Sequence, residues 1–161
     1  MNIRFDEKQN MEVVTLFPGE YHATKENRII TTVLGSCIAV ALYDPLQQIG
    51  GMNHFMLPES LSNGQFYLSK SGKYGMYAME LLINDLLKLG VRKTNLKAKV
   101  FGGGHVLDQV PGMSARVPDS NISFAFDFLN AENIPVSSQD VGGTNARKIF
   151  FFTHSAKIKL R

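Results

Sequence analysis

The chain reads as an α+β fold, a mostly β core of short strands with two helices packed outside it. Three observations predict this. Short β-branched and aromatic runs recur along the chain, only two segments carry apolar residues at steps of three and four, and Gly, Pro, Asn and Asp separate the runs. At 161 residues, 44% of them hydrophobic, the chain is long enough for one domain with a real core and too short for two ordinary ones. Residues 1–161 are expected to form a single domain, with 1–19 as a poorly ordered or peripheral N-terminal extension.

The elements follow in order. The first segment is charged from Arg4 to Lys8, then offers Val13 to Phe17 as a short strand that Pro18-Gly19 ends. Glu20 to Thr24 reads as another strand, and Lys25 to Arg28 as a polar loop; His22 has no partner by spacing and is read as structural. Ile29 to Val33 then leads through Leu34-Gly35-Ser36 into Cys37 to Tyr43, which makes two strands, or one strand interrupted at Gly35. Asp44-Pro45-Leu46-Gln47 fits a type I turn, and a strand from Gln48 to Leu57 runs back until Pro58 ends it. Glu59 to Lys73 is rich in Ser, Asn, Gly and Lys, an exposed loop that is either a wall of a site or a surface excursion.

Helical spacing appears at Tyr74 to Leu89, where Met76, Met79, Leu82, Ile83 and Leu86 form one face and Gly90 supplies a stop. Its methionines are read as core filler. Leu96 to Phe101 alternates as a strand and breaks at Gly102-Gly103-Gly104. These glycines lack the Lys-Ser or Lys-Thr that follows a phosphate cradle, so they predict a sharp turn where backbone approaches a site closely. Asp119 or Ser120 caps a second helix, Asn121 to Ala131, with Ile122, Ala125, Phe128 and Leu129 as its stripe. Ile134 to Val136 starts a strand, Asp140 to Gly143 turns, and Arg147 to Thr153 with Lys157 to Leu160 makes a terminal hairpin.

Composition excludes several classes. No apolar stretch approaches the ~18 residues of a membrane helix, and no basic-then-apolar leader is present, so a cytoplasmic protein is expected. One cysteine cannot close an internal disulfide, which fits a reducing compartment. Net charge is +3, from 17 basic and 14 acidic residues, with Arg92-Lys93 and the Lys157 to Arg161 tail as basic clusters. Neither a zinc-finger spacing nor an RNA-binding aromatic signature accompanies them, so nucleic acid is not an expected partner. The four histidines are scattered, with a single cysteine to join them, so no metal or other cofactor is expected. Asn121-Ile122-Ser123 is a chance match to a glycosylation acceptor.

The chemistry concentrates between Ile29 and Pro58. A turn centred between Pro45 and Leu46 places Cys37 opposite His54, and directly opposed Cβ atoms lie roughly 4.5–5.5 Å apart. A thiol beside an imidazole can give it a proton and attack as thiolate. The alternative is a small buried hydrophobe and an unrelated histidine. Alternation puts Cys37, Ala39 and Ala41 on one face and Ile38, Val40 and Leu42 on the other, so the bulky face reads as core and the cysteine face has room beside it for a partner helix.

The run Thr31-x-x-Leu34-Gly35-Ser36-Cys37, the sixteen residues that separate Cys37 from His54, the later Gly-Gly, and Asp140-x-Gly142-Gly143-x-x-x-Arg147 together resemble the CheD family of chemoreceptor glutamine deamidases. The resemblance runs from about Gly19-Glu20-Tyr21 to the C-terminal strands. It implies Cys37 as nucleophile, His54 as base and Thr31, six residues before the cysteine, as the third member. It implies an architecture similar to the catalytic core of glutamine-deamidating toxins, and as partners the cytoplasmic helices of methyl-accepting chemotaxis receptors and a CheC-type phosphatase. The expected activity is hydrolysis of receptor glutamines to glutamate and ammonia, with backbone N–H groups near Ser36 and Cys37 as oxyanion donors; the alternative is a non-catalytic chemotaxis adaptor binding the same partners. Arg147 is read as a salt-bridge partner of the fold in preference to a substrate carboxylate clamp.

Overall fold

A computed structural model describes residues 1–57, 70–106 and 116–161; the loop expected from Glu59 falls almost wholly outside them. The described residues form ten strands and two helices, an α+β arrangement as expected. The strands are β1 (Asn2–Asp6), β2 (Met11–Thr15), β3 (Tyr21–Thr24), β4 (Ile29–Leu34), β5 (Ile38–Asp44), β6 (Ile49–Asn53), β7 (Lys97–Gly102), β8 (Val136–Val141), β9 (Arg147–Phe152) and β10 (Ile158–Leu160); the helices are α1 (Lys70–Lys88) and α2 (Arg116–Ala131). They are ordered β1-β2-β4-β9-β10 in a first sheet and β3-β6-β5-β7-β8 in a second.

Side-chain alternation decides the layers. In β5, Ile38, Val40 and Leu42 join Met79, Leu82, Leu86, Phe124, Phe128 and Leu129 in a cluster between the second sheet and the helices. Ala39, Ala41 and Tyr43 face the other way, into a cluster with Val14, Ile30, Leu34, Ile149 and Phe151 of the first sheet. The second sheet is thus covered on both faces, which is why β5 reads as a continuous apolar run. The helical stripe expected on α1 is the buried one. Its end is also as expected: Gly90 adopts φ +105, and the N–H groups of Gly90 and Val91 return to the carbonyls of Leu87 and Leu86 in a Schellman turn.

Three expectations need correction. Residues 1–19 are no peripheral extension, because β1 and β2 form a hairpin, β2 pairs in parallel with β4, and Val14 and Leu16 are buried in the intersheet cluster. Val13 and Val14, adjacent and both buried, sit in a strand paired on both sides, which outweighed the charged start. Both helices begin several residues before their expected starts, at Lys70 and Arg116. In α2 Asp119 therefore lies in the first turn, where its charge suits the helix dipole.

The third correction is the hairpin register. Asp44 pairs with Ile49, Ala41 with Met52 and Ile38 with Phe55, an offset of two residues from the expected pairing. The loop is Pro45 to Gln48: Asp44 Oδ1 accepts from the N–H groups of Leu46 and Gln47, the Gln48 N–H returns to the Asp44 carbonyl, and Gln48 takes φ +56. A left-handed glutamine is an uncommon choice that composition does not announce.

Candidate active site

The offset of two has a mild consequence because strand faces repeat every two residues: Cys37 and His54 keep the same face but are diagonal instead of directly opposed. In a regular ladder such diagonal pairs lie roughly 7–8 Å apart, within reach of longer side chains. The ladder is not regular here. Asn53 Oδ1 accepts the Val40 N–H at 3.0 Å, while His54 turns its own backbone to the Gly19-Glu20 corner, its N–H on the Glu20 carbonyl and its carbonyl on the Gly19 N–H. That breaks β6 and lets the His54 ring leave the sheet.

The ring is buried, 3% exposed. Its Nδ1 lies 2.7 Å from Thr32 Oγ1, and the Thr32 hydroxyl donates to the Leu16 carbonyl at 2.8 Å. A hydroxyl has one proton to give. Spent on Leu16, it leaves oxygen lone pairs that accept from Nδ1–H, so Nε2 carries the ring's lone pair. Nε2 is buried without a hydrogen-bond partner among the described residues. Burial pushes the His54 pKa down to about 4, against a smaller opposing pull from the Glu20 carboxylate.

Cys37 lies in the link between β4 and β5, which belong to different sheets, and packs half-buried against the intersheet cluster. Burial pushes its thiol pKa up. At neutral pH the pair is therefore a thiol and a neutral imidazole. Beside it, no group among the described residues takes the backbone N–H of Ser36 or of Cys37.

Glycine backbone brackets this link as expected. Gly103 N–H donates to the Cys37 carbonyl at 2.9 Å and Gly104 N–H to the Gly35 carbonyl at 2.8 Å. Gly102 holds φ +110, and a Cβ there would sit 2.1 Å from the Cys37 carbonyl oxygen, so only glycine fits.

Thr31, expected to orient His54, sends its hydroxyl to the Ile149 carbonyl at 2.7 Å instead. In β4 the inward positions are Ile30, Thr32 and Leu34, so the hydroxyl that meets His54 is the one from Thr32. Asn121 was also missed. Fully buried on α2, it donates to the Ser36 carbonyl at 2.8 Å and accepts from the Leu57 N–H at 2.9 Å, tying the cysteine link to the segment after His54. The available signal was its place four residues before Ala125, a polar group on the apolar stripe. The same burial removes Asn121 as a glycosylation acceptor.

Arg147 reaches the carbonyls of Gly102, Asp140 and Gly142, fastening the loop after β8 to the end of β7, so its structural role runs through carbonyls and not through a salt bridge. His105 Nε2 meets Asp119 Oδ1 at 2.7 Å. Ala39 and Ala41 are fully buried against the first sheet, so the small face beside Cys37 has no room for a partner helix. Among the described residues no cluster of His, Cys, Asp and Glu could hold a metal, and no helix is long and apolar enough to cross a membrane.

This is a two-sheet α+β protein in which a cysteine and a tautomer-fixed histidine flank the β5–β6 pair. The family described as CheD chemotactic sensory transduction matches residues 56–161, and the relatives that match nearly the whole chain include the following three. These are named probable chemoreceptor glutamine deamidases: CheD 1 of Shewanella oneidensis, 46% identical over 99% of this chain and 77% of its own; CheD of Thiobacillus denitrificans, 45% over 99% and 78%; and CheD of Bordetella avium, 45% over 98% and 68%. The chain belongs to the CheD family. The Bacillus licheniformis hypothetical protein YfiH gives a TM-score of 0.47 at 14% identity, over 75% of this chain and 50% of that one.

Proposed function

We propose that this protein hydrolyses glutamine side chains on methyl-accepting chemotaxis receptors to glutamate, releasing ammonia, with Cys37 as nucleophile and His54 as base. The observation that carries the reading is the His54 ring, held at Nδ1 and without a partner at Nε2 among the described residues, on the same face of the β5–β6 pair as the chain's single cysteine, in a chain whose near-full-length relatives are named for this activity.

The chemistry follows from the neutral pair. As the Cys37 sulfur attacks the carboxamide carbon, its proton passes to His54 Nε2, and the imidazolium forms only while negative charge grows on the substrate oxygen. The N–H groups of Ser36 and Cys37 face that oxyanion. The C–N bond then breaks, nitrogen takes the proton from Nε2 and leaves as ammonia, and a thioester remains. Water gives a proton to Nε2 and attacks the thioester carbon; the C–S bond breaks, glutamate departs and the thiol is restored. One water is consumed per ammonia released. Thr32, and not Thr31, keeps His54 in the working tautomer.

The test is ammonia release from a receptor cytoplasmic fragment. Cys37→Ala should release none while melting as wild type does, since a half-buried thiol with no hydrogen bond costs well under the ~2–5 kcal/mol of a large core truncation. Wild-type rates in that variant would end the mechanism. A CheC-type phosphatase is proposed as a second partner at the same opening, favoured by the exposed Met56 whose sulfur lies 3.7 Å from Ser36 Oγ and gives the rim an apolar contact. Simultaneous binding of phosphatase and receptor fragment with neither weakened would exclude a shared opening.

A further inference from the structure

The first sheet packs one face on the second sheet, and the helices lie beyond that. Its other face is open. Register puts Val13, Ile29 and Phe152 in one row across it and Thr31, Phe150 and Lys159 in the next, with Val33 and Lys148 paired beyond them. Val13, Ile29 and Thr31 are buried in these rows, so the apolar surface the face presents is Val33, 59% exposed, and the two half-buried phenylalanines.

Around these side chains stand Arg4, Lys148, Lys157, Lys159 and Arg161, with Asp6 as the one side-chain carboxylate. Five cations less one carboxylate leaves a side-chain excess of four on this face, against a net +3 for the whole chain. Among the described residues only Arg4 meets an acid here, Asp6 at 3.9 Å. Three of the others are turned onto rings: Lys148 and Arg161 each 5.3 Å from the centre of Phe150, and Lys159 5.4 Å from Phe152. Like charges gathered within a Debye length of about 8 Å repel one another, and among the described residues Asp6 is the one side-chain carboxylate on this face that offsets them.

We infer that this face is a docking surface for a protein segment carrying an apolar stripe flanked by carboxylates. Val33 and the uncovered parts of the two half-buried rings supply a small apolar contact, and the cations supply complementary charge, three of them at positions already set by the rings, so little side-chain freedom is lost on binding. A single-stranded nucleic acid fits less well, because the phenylalanine faces are already covered by cations and are closed to base stacking. A membrane surface fits less well too, because fixed charges on a flat sheet offer no protruding apolar group to insert.

The probe is a fluorescently labelled helical peptide with leucines along one stripe and glutamates beside it, titrated with the full chain. Binding should weaken about tenfold between about 50 mM and about 300 mM salt. The triple variant Lys148→Glu, Lys159→Glu, Arg161→Glu should bind at least about tenfold more weakly. Because those side chains also cap rings, Arg4→Gln with Lys157→Gln, which caps none, serves as a second variant and should lose about threefold. Unchanged affinity in this second variant, or tighter binding of phosphatidylserine vesicles or a single-stranded oligonucleotide than of the peptide, would overturn the inference. The readout is binding alone, so it stands whether or not the chain deamidates anything.

Discussion

The hydroxyl of Thr32 lies between His54 Nδ1, at 2.7 Å, and the Leu16 carbonyl, at 2.8 Å. It can satisfy the carbonyl only by leaving Nδ1 to carry its own proton, so one threonine decides which nitrogen of the buried ring is basic. Thr32→Val should lower kcat for ammonia release roughly 10–100-fold with little change in KM, the scale of a disturbed general base. Thr32→Ser should restore most of the loss. Thr31→Val should instead cost about 1 kcal/mol in melting, through the lost bond to Ile149, with kcat nearly unchanged. The reverse assignment of effects to the two threonines would show that Thr31 orients the ring.

Acid should loosen the fold through His54. The folded pKa is about 4 against an ordinary 6.5, so between those values the unfolded chain binds a proton that the folded one refuses. Stability is thus complete above about pH 6.5 and falls as pH drops towards 4, by about 3 kcal/mol at most at one pKa unit per 1.36 kcal/mol. Burial lowers His22 as well, which adds in the same direction. The comparison that isolates His54 is denaturant unfolding of His54→Gln beside wild type from pH 7 to 4. Parallel stability curves would rule the linkage out.

The raised thiol pKa makes a separate prediction about reactivity. Alkylation of Cys37 by iodoacetamide should be slow at neutral pH and still climbing above pH 9, where an ordinary thiol near pKa 8.5 has levelled off. A rate already at its plateau by pH 7 would mean a stored thiolate. Ammonia release, which uses neutral His54, should show no inflection near pH 6.5.

Asn121→Ala should be costly in two ways. It leaves the Leu57 N–H and the Ser36 carbonyl without the partner each has now, about 1–3 kcal/mol for a buried unsatisfied group. It also frees the cysteine link from the segment that follows His54, so kcat should drop by more than in a core variant of equal melting temperature, such as Leu129→Ala. Equal loss in both would make Asn121 a purely structural residue.

Local pattern was enough to read most strands and the buried stripe of each helix, because propensity and period act within a few residues. It could not reveal that Ile29–Leu34 and Ile38–Asp44, adjacent in the chain, belong to different sheets, since only long-range pairing decides that. The hairpin offset was hidden in Gln48, whose left-handed backbone no composition rule favours. At the site, spacing and family resemblance singled out Cys37 and His54, and the hairpin offset leaves them diagonal instead of opposed. The Thr32 contact with His54 was within reach through alternation: Ile30 and Leu34 are the apolar inward positions of that strand, and the residue between them must share their face. Asn121 needed a partner eighty-five residues away, beyond any local rule.

The link from Leu34 to Ile38 is the seam where the chain passes from one sheet to the other, with the cysteine on the seam, Thr32 on one side and His54 on the other. The β5–β6 pair of the second sheet carries both Cys37 and His54, but the threonine that fixes the His54 tautomer comes from the first. During folding the hairpin can bring cysteine and histidine together early, but the ring is held in one tautomer only when the two sheets of distant strands have stacked. Such non-local assembly is slow, and a half-folded or nicked chain carries the sulfur without the chemistry. Ammonia release is then a measure of completed sheet stacking as much as of catalysis.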